Sequence, residues 1–260
     1  MSVRDAYYTP KLVIDSIYQA LDQLGFNNDN HPKEIFEPSL GTGKFIAHAP
    51  SDKNYRFIGT ELDPISANIS QFLYPNQVIK NTALENHQFH QDYDAFVGNP
   101  PYGNHKIYSS NDAELSNESV HNYFLGKAIK ELKDDGIGAF VVSSWFMDAK
   151  NPKMREHIAK NATFLGAIRL PNSVLKQQER KLRATLCFLK KALMKQPIKV
   201  SLKLCLTMTR SLMTWMMKPF LPYKTTALIV LSLAINLKLS LRLQTILVSN
   251  KKNCNDGMKK

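Results

Sequence analysis

The most specific chemistry in this sequence lies in Val97-Gly98-Asn99-Pro100-Pro101-Tyr102-Gly103. Two consecutive prolines cannot continue a paired strand, because neither has a backbone N–H to donate. The chain must leave its sheet here, and the stiff Pro-Pro backbone fixes the carbonyl of Pro100 relative to the side chain of Asn99. Both groups are acceptors, and an aromatic amino group offers two hydrogens to match them. Drawing on both hydrogens disfavours delocalisation of the nitrogen lone pair into its ring, so the nitrogen becomes a nucleophile. Tyr102 adds a flat face on which a heterocycle can stack. An Asn-Pro pair alone is a common turn signal. The whole tetrapeptide at a strand end, with two further sites upstream, is far more specific.

The first upstream site is Glu37-Pro38-Ser39-Leu40-Gly41-Thr42-Gly43-Lys44-Phe45. Its two glycines let the backbone turn tightly and approach a ligand closely, as the amino-acid end of a nucleoside cofactor requires. By itself a Gly-x-Gly turn also serves as a plain strand-to-helix connection. The second site is Glu61, whose carboxylate can accept both hydroxyls of a ribose. An exposed acid at a strand end is the plainer account of that residue. His87 and His90 lack acidic or cysteine partners at ligand spacing, so a solvated loop is expected there and no metal site. Trp145 and Phe146 fit either a base pocket or the core.

These residues need a sheet to hold them, and the periodicities supply one. Val13, Ile17, Leu21 and Leu24 recur on one helical face. Short apolar strands follow at residues 34–36 and 55–62, the second running into Asp63-Pro64, a capping residue with proline at the first helical position of a helix to about residue 74. Strands are expected at 77–81 and 93–97, a helix at 119–132, a strand at 137–143, a helix at 152–159 and a strand at 164–170. Such alternation implies an α/β fold with a mostly parallel sheet, helices on both faces, and ligands beyond the carboxyl ends of the strands.

Composition divides the chain near residue 176. The net charge of +12 reads at first as a nucleic-acid footprint. Residues 177–260, however, hold 17 of the 34 basic side chains and, of the acids, only Glu179 and Asp256, which leaves residues 1–176 with a net charge of −3. Glycine is also missing after residue 176 until Gly257. Cys187, Cys205 and Cys254 form neither metal-ligand spacing nor an even framework, which suits free thiols in the cytoplasm. The longest apolar stretch, 227–237, is too short to span a bilayer, and no export signal is visible.

In combination, Ala6-Tyr7-Tyr8-Thr9-Pro10, EPSLGTGKF, GTELDP, YDAFVGNPPYG and the segment GIGAFVVSSWFMDAKNPKMREHIAKNATFLGAIRLPNSVL resemble the N6-adenine DNA methyltransferases of the gamma motif order. The last segment is most similar to the methylase domain of large helicase-methyltransferase proteins of mobile elements. The resemblance covers roughly residues 5–176 and implies a Rossmann-like S-adenosylmethionine-dependent methyltransferase fold. It implies S-adenosyl-L-methionine as cofactor, DNA with a flipped adenine as substrate, and a helicase or restriction module in the full-length relative. In that family, residues matching Tyr8, Thr9, Glu37 and Gly41 border the methionine moiety, with Pro38, Ser39 and Gly43 in the same turn. The residue matching Glu61 binds ribose, and the position of Asn81 contacts the cofactor's adenine. Phe124 sits where the family has a residue near the methionine. Asn99, Pro100, Pro101 and Tyr102 hold the target base, whose nitrogen attacks the sulfonium methyl.

The pattern breaks after LPNSVLK. The family continues with a strand of the type GTEVTSDIVFFKKG, whereas this chain reads QQERKLRATLCFLKKALMKQ. One legal codon spelling of that stretch reads, in a neighbouring frame, KATGTEVTSDIVFFKKGVDET. The expected organisation is therefore a catalytic domain over 1–176, incomplete at its last strands, and a basic tail over 177–260 translated out of frame. ATLCFLKK keeps enough apolar β-type character to fill the missing strand's place. The other functions the sequence allows are methylation of an amino group on RNA guanine or protein glutamine, and an inert relic that only binds cofactor or DNA.

Overall fold

The computed structural model describes residues 8–29, 31–89, 93–103, 105–171, 175–177, 180–181 and 184–192. Ala6, Tyr7, His90, the side chain of Trp145 and the stretch 193–260 lie outside the described residues. The chain begins with α1 (Lys11–Gln23), β1 (Lys33–Glu37), a short α2 (Lys44–Ala47), β2 (Tyr55–Glu61), α3 (Pro64–Leu73), β3 (Val78–Asn81) and β4 (Tyr93–Gly98). A small hairpin of β5 (Lys106–Ile107) and β6 (Glu118–Ser119) leads to α4 (Val120–Glu131), β7 (Leu132–Ser143), α5 (Ser144–Asp148), α6 (Lys153–Ala159) and β8 (Ala162–Arg169). A second hairpin pairs β9 (Lys176–Gln177) with β10 (Arg180–Lys181), and β11 (Ala184–Lys191) follows.

The seven-stranded sheet has the order β3-β2-β1-β4-β7-β11-β8. Pairs among β3, β2, β1, β4 and β7 are parallel, and β11 lies antiparallel between β7 and β8. The chain moves outward from β1 through β2 to β3, then crosses back to β4. That reversal opens a crevice beyond the ends of β1 and β4, where doubly wound folds bind ligands. The sheet runs past the composition break at residue 176, because β11 supplies its sixth position.

Strand alternation distributes the core between the two faces. Ile35, Ala95, Val97, Ile137, Ala139, Val141, Leu186 and Phe188 face α1, whose Val13, Ile14, Ile17 and Leu21 are fully buried. Phe36, Phe96, Phe140, Val142, Cys187 and Leu189 face α4, against Tyr123, Leu125, Ala128 and Ile129. Each Val, Ile, Leu or Phe side chain among them contributes about 1.5–3 kcal/mol on burial, so the two layers clamp the crevice strands from both sides. Asp63 caps α3 as its sequence predicts, accepting from the Ser66 N–H at 2.9 Å. Ser119 does the same for α4, through the Asn122 N–H at 3.4 Å.

His87 differs from expectation. It is buried rather than solvated, in an aromatic cluster with Phe36 at 5.1 Å and Phe89 at 4.6 Å between ring centroids. The three rings contact one another, Phe36 and Phe89 at 5.2 Å, and the partner that local sequence does not show is Phe36, far from His87 in the chain. Among the described residues no group of three His, Cys, Asp or Glu side chains could hold a metal ion, and no helix is long and apolar enough to cross a membrane.

Candidate active site

A continuous cavity of about 470 Å³ opens beyond the carboxyl ends of β1, β2 and β4. It reaches from Tyr8 and Thr9 through the turn after β1 to Glu61, and on to Asn99, Pro100, Pro101 and Tyr102. Of the residues singled out in sequence, Tyr8, Thr9, Glu37, Pro38, Ser39, Gly41, Glu61, Phe124 and the four of the Asn-Pro-Pro-Tyr segment line it, whereas Gly43 and Asn81 do not.

The turn after β1 is built around its glycines. Gly41 has φ +57° and Gly43 φ +75°, a region that residues with a Cβ rarely adopt. A Cβ on Gly43 would also fall 2.3 Å from the Tyr74 ring, so Gly43 serves the packing of the turn on α3 and leaves the lining to Gly41. Thr60 Oγ1 donates to the Pro38 carbonyl at 2.9 Å, and Ser70 Oγ to the Gly41 carbonyl at 2.6 Å. Ser39 Oγ donates to the Asn99 carbonyl at 3.3 Å, tying this turn to the end of β4.

Two carboxylates mark this end of the cavity. Glu61 accepts the Gly41 N–H on Oε2 at 2.6 Å and the Asp63 N–H on Oε1 at 2.8 Å. Both of its oxygens are thereby aimed, and each keeps a second lone pair for a hydroxyl. Asn81 spends its amide on the carbonyls of Glu61 and Leu62, at 2.8 and 3.2 Å. It shapes the Glu61 turn, while Thr82, Ala83, Leu84 and Glu85 form the wall at that depth. Glu37 is 3% exposed, and its Oε2 has no hydrogen-bond partner among the described residues. Burial, reinforced by the nearby Glu61 charge, holds its carboxyl well above the usual carboxylate range. A buried acceptor left unmatched costs free energy until a donor arrives, and a cation is the best donor. S-adenosyl-L-methionine carries an ammonium, a sulfonium and a ribose diol, so the residues present fit it.

The other end is aromatic. Tyr102 Oη lies 2.5 Å from Asn99 Oδ1 and 3.2 Å from the Val141 carbonyl, contacts that hold the asparagine side chain to the sheet. The Tyr102 ring stacks on His121 of α4, with centroids 5.5 Å apart and planes 21° apart, and Phe146 meets His121 edge-on at 6.1 Å. His121 is buried, which lowers its pKa to about 4 against the opposing pull of the Pro101 carbonyl, so the imidazole is neutral near pH 7. Phe146 thus stands behind the wall rather than in it. Sequence reasoning missed His121, since nothing distinguishes it from other residues of an amphipathic helix. His105, Lys106, Ile107 and Tyr108 complete this end of the cavity and were also unmarked in the sequence.

The chain is similar to known proteins in sequence and in fold. The chain is 28% identical over 170 residues to the defense against restriction protein B of Escherichia phage P1, covering 64% of this chain and 7% of that protein. It is 29% identical over 148 residues to the type II methyltransferase M.CvrRI of Paramecium bursaria Chlorella virus XZ-6E, covering 55% of this chain and 37% of that protein. It therefore spans well under half the length of either relative. A Listeria monocytogenes structure classed among class I S-adenosylmethionine-dependent methyltransferases superposes with a TM-score of 0.65 at 16% identity, over 83% of this chain and 73% of its own. The M protein of the type I restriction enzyme EcoKI does so with a TM-score of 0.54 at 16% identity, over 75% of this chain and 46% of its own. At these identities the likeness is one of fold: a Rossmann-like methyltransferase sheet. The model of the Eco57I restriction-modification methylases matches residues 39–194, more than half of the chain and through the whole of β11, and the chain accordingly belongs to that family.

Proposed function

We propose that this chain methylates the N6 amino group of adenine in DNA. The observation that carries this reading is the shared cavity, in which the Asn99–Tyr102 segment and the Glu37 and Glu61 carboxylates line one continuous space. S-adenosyl-L-methionine, the cofactor of the family, supplies an electrophilic methyl group at that site. Glu61 accepts the ribose hydroxyls on the lone pairs its backbone contacts leave over, and Glu37 accepts the ammonium. An adenine turned out of the duplex stacks on Tyr102, and its amino hydrogens meet Asn99 Oδ1 and the Pro100 carbonyl. The two acceptors localise the nitrogen lone pair. Bound there, the cofactor would supply its sulfonium methyl as the electrophile, the S–CH3 electron pair remaining on sulfur, while Asn99 Oδ1 and the Pro100 carbonyl would hold the attacking amino group and the proton it loses would pass to water. His121, neutral and stacked behind Tyr102, places no cation against the methylated nitrogen.

The test is transfer of a tritiated methyl group to unmethylated DNA, with RNA and release-factor protein as alternative acceptors. Label in DNA is expected, on N6-methyladenine after digestion. Label on RNA guanine or on a protein glutamine would replace the reading with another amino-group transferase, and no label anywhere would leave a binding relic. Asn99→Ala should abolish transfer and leave cofactor affinity unchanged, because Asn99 is assigned to the base alone. An unchanged methylation rate in that variant would remove Asn99 from the mechanism.

The segment beyond residue 176 is read as out of frame, the protein as cytoplasmic, and the full-length relative as carrying a helicase or restriction module. The family's own strand, spelled in the neighbouring frame, supports the first reading. A repaired frame would put the family's threonine-rich strand in the sixth sheet position that β11 fills in this chain, and the nucleotide sequence around codon 176 decides the matter.

A further inference from the structure

The loop after the Asn-Pro-Pro-Tyr segment is anchored more firmly than a connection requires. Its ends form the β5–β6 hairpin, and the Val120 N–H donates to the His105 carbonyl at 2.9 Å. Ile107 and Leu115 are buried, and so is Asp112, at 0% exposure. Asp112 Oδ1 takes Lys130 Nζ at 2.6 Å and Lys127 Nζ at 3.0 Å, while Oδ2 accepts the Tyr123 hydroxyl at 2.8 Å. Two cations and a phenol, all from α4, thus fix one loop carboxylate. A buried charge so fully matched pins the loop in a single geometry.

What that geometry presents is Tyr108. The ring lies one residue beyond β5, lines the cavity that holds Asn99 and Tyr102, and is nevertheless 73% exposed. An aromatic ring held by an anchored loop and exposed at the mouth of that cavity offers a flat stacking surface. Turning one base out of a duplex leaves its neighbours without a stacking partner. A planar ring on the approach to Tyr102 can replace that partner regardless of base identity, since every base has a π-face.

We propose that Tyr108 is a second stacking site, taking the nucleotide beside the one held at Asn99–Tyr102, and that the Asp112 cluster fixes it there. This rests on the reading of the cavity as a nucleic-acid base site. The site is sequence-tolerant: it raises affinity for a strand with an unpaired base without choosing that base.

Two measurements on the full chain test it. In tritiated-methyl transfer to unmethylated DNA, Tyr108→Ala should raise KM for DNA roughly tenfold with kcat and cofactor affinity little changed, and Tyr108→Phe should restore KM. In fluorescence, Tyr108→Trp should show emission quenched by oligo(dA) beyond any quenching in the parent. Heparin, a polyanion without bases, should quench neither, which separates stacking from charge attraction to the basic tail. The proposal is overturned by an unchanged KM in Tyr108→Ala, by cofactor affinity falling in its place, or by equal quenching with heparin. If the parent transfers no methyl to DNA, the reading of the reaction fails, and quenching by oligo(dA) alone then decides for or against the stacking site.

Discussion

The two ends of the cavity are built from opposite chemistry. Around the glycine turn the polar groups are carboxylates, Glu37 and Glu61, one buried and unmatched and the other aimed by two backbone N–H groups. Around Asn99 the groups packed together are neutral, an amide, a phenol and an imidazole whose pKa lies near 4, and the one ammonium among the described residues lining that end, Lys106, donates to the Asn117 carbonyl at 2.8 Å. A cationic cofactor is drawn by charge, whereas a base is neutral and must be held by shape, stacking and paired acceptors. Net charges close to the base would interact with the sulfonium as the methyl leaves. The difference teaches that the two binding tasks are separable, and substitutions at one end should leave the other intact.

The largest effect is expected where the base end is anchored. Asp112→Ala strips the buried Lys127 ammonium of its closest buried carboxylate, leaving it Glu131 at 2.9 Å and the Phe89 ring at 4.6 Å, and should lower stability by about 3 kcal/mol in urea unfolding. Burial alone would raise the Asp112 pKa, but hydrogen bonds from Lys130, Lys127 and Tyr123 outweigh it and hold the value at about 2. Its folded value is thus depressed. The stabilisation is complete above the ordinary carboxylate range and disappears as pH falls through about 2, and Asp112→Ala should lack that acid-side loss. A variant as stable as the parent would mean that the loop is not held by this cluster.

Much of this was legible in sequence, for a physical reason that also marks where legibility stops. Strands β1, β2 and β4 carry apolar runs ending in Gly or Pro, and Asp63-Pro64 announces α3, so the sheet and the site residues at its edge follow from local signals. The Asp112 cluster depends on lysines 15 and 18 residues away, which no local pattern records. His121 becomes notable only when Tyr102 is folded onto it. Asn81 stands at the expected strand end, but its amide is used by backbone carbonyls, a choice set by the Glu61 turn rather than by its own residue type. Strand β11 lies beyond the composition break, yet Leu186, Cys187, Phe188 and Leu189 alternate between the two core faces. Its apolar character suffices for the place it fills.

A smaller effect, confined to the cofactor end, is expected at Glu61. Glu61→Ala removes the acceptor for the ribose hydroxyls and the partner of the Gly41 and Asp63 N–H groups. Loss of charge-assisted hydrogen bonds should cost about 1.5–3 kcal/mol, or roughly ten- to a hundredfold in the Kd for S-adenosylmethionine by calorimetry. The partition between the ends predicts no change in affinity for DNA without cofactor. Equal cofactor binding by parent and variant would take Glu61 out of the site.

The subtlest expectation concerns protons at Glu37. With its pKa raised by burial first and by Glu61 second, the free protein holds this carboxyl protonated to a higher pH than an ordinary glutamate with a value of 4.5. An ammonium docked beside Glu37 favours the charged carboxylate, so binding lowers the pKa and expels a proton. The sign follows: as pH falls through the raised value, the proton competes with the cofactor and affinity drops, by at most about tenfold per pH unit. Above that value the dependence vanishes, until the cofactor's own ammonium titrates near pH 8 by analogy with an α-amino group at about 7.7–8.0. Calorimetry in two buffers of different ionisation enthalpy should therefore detect proton release on the acid side. Glu37→Gln should bind more weakly and lose that release. A parent whose affinity is flat with pH, or a glutamine variant with the same slope, would show that the ammonium lies elsewhere and that Glu37 is unmatched for some reason other than the cofactor.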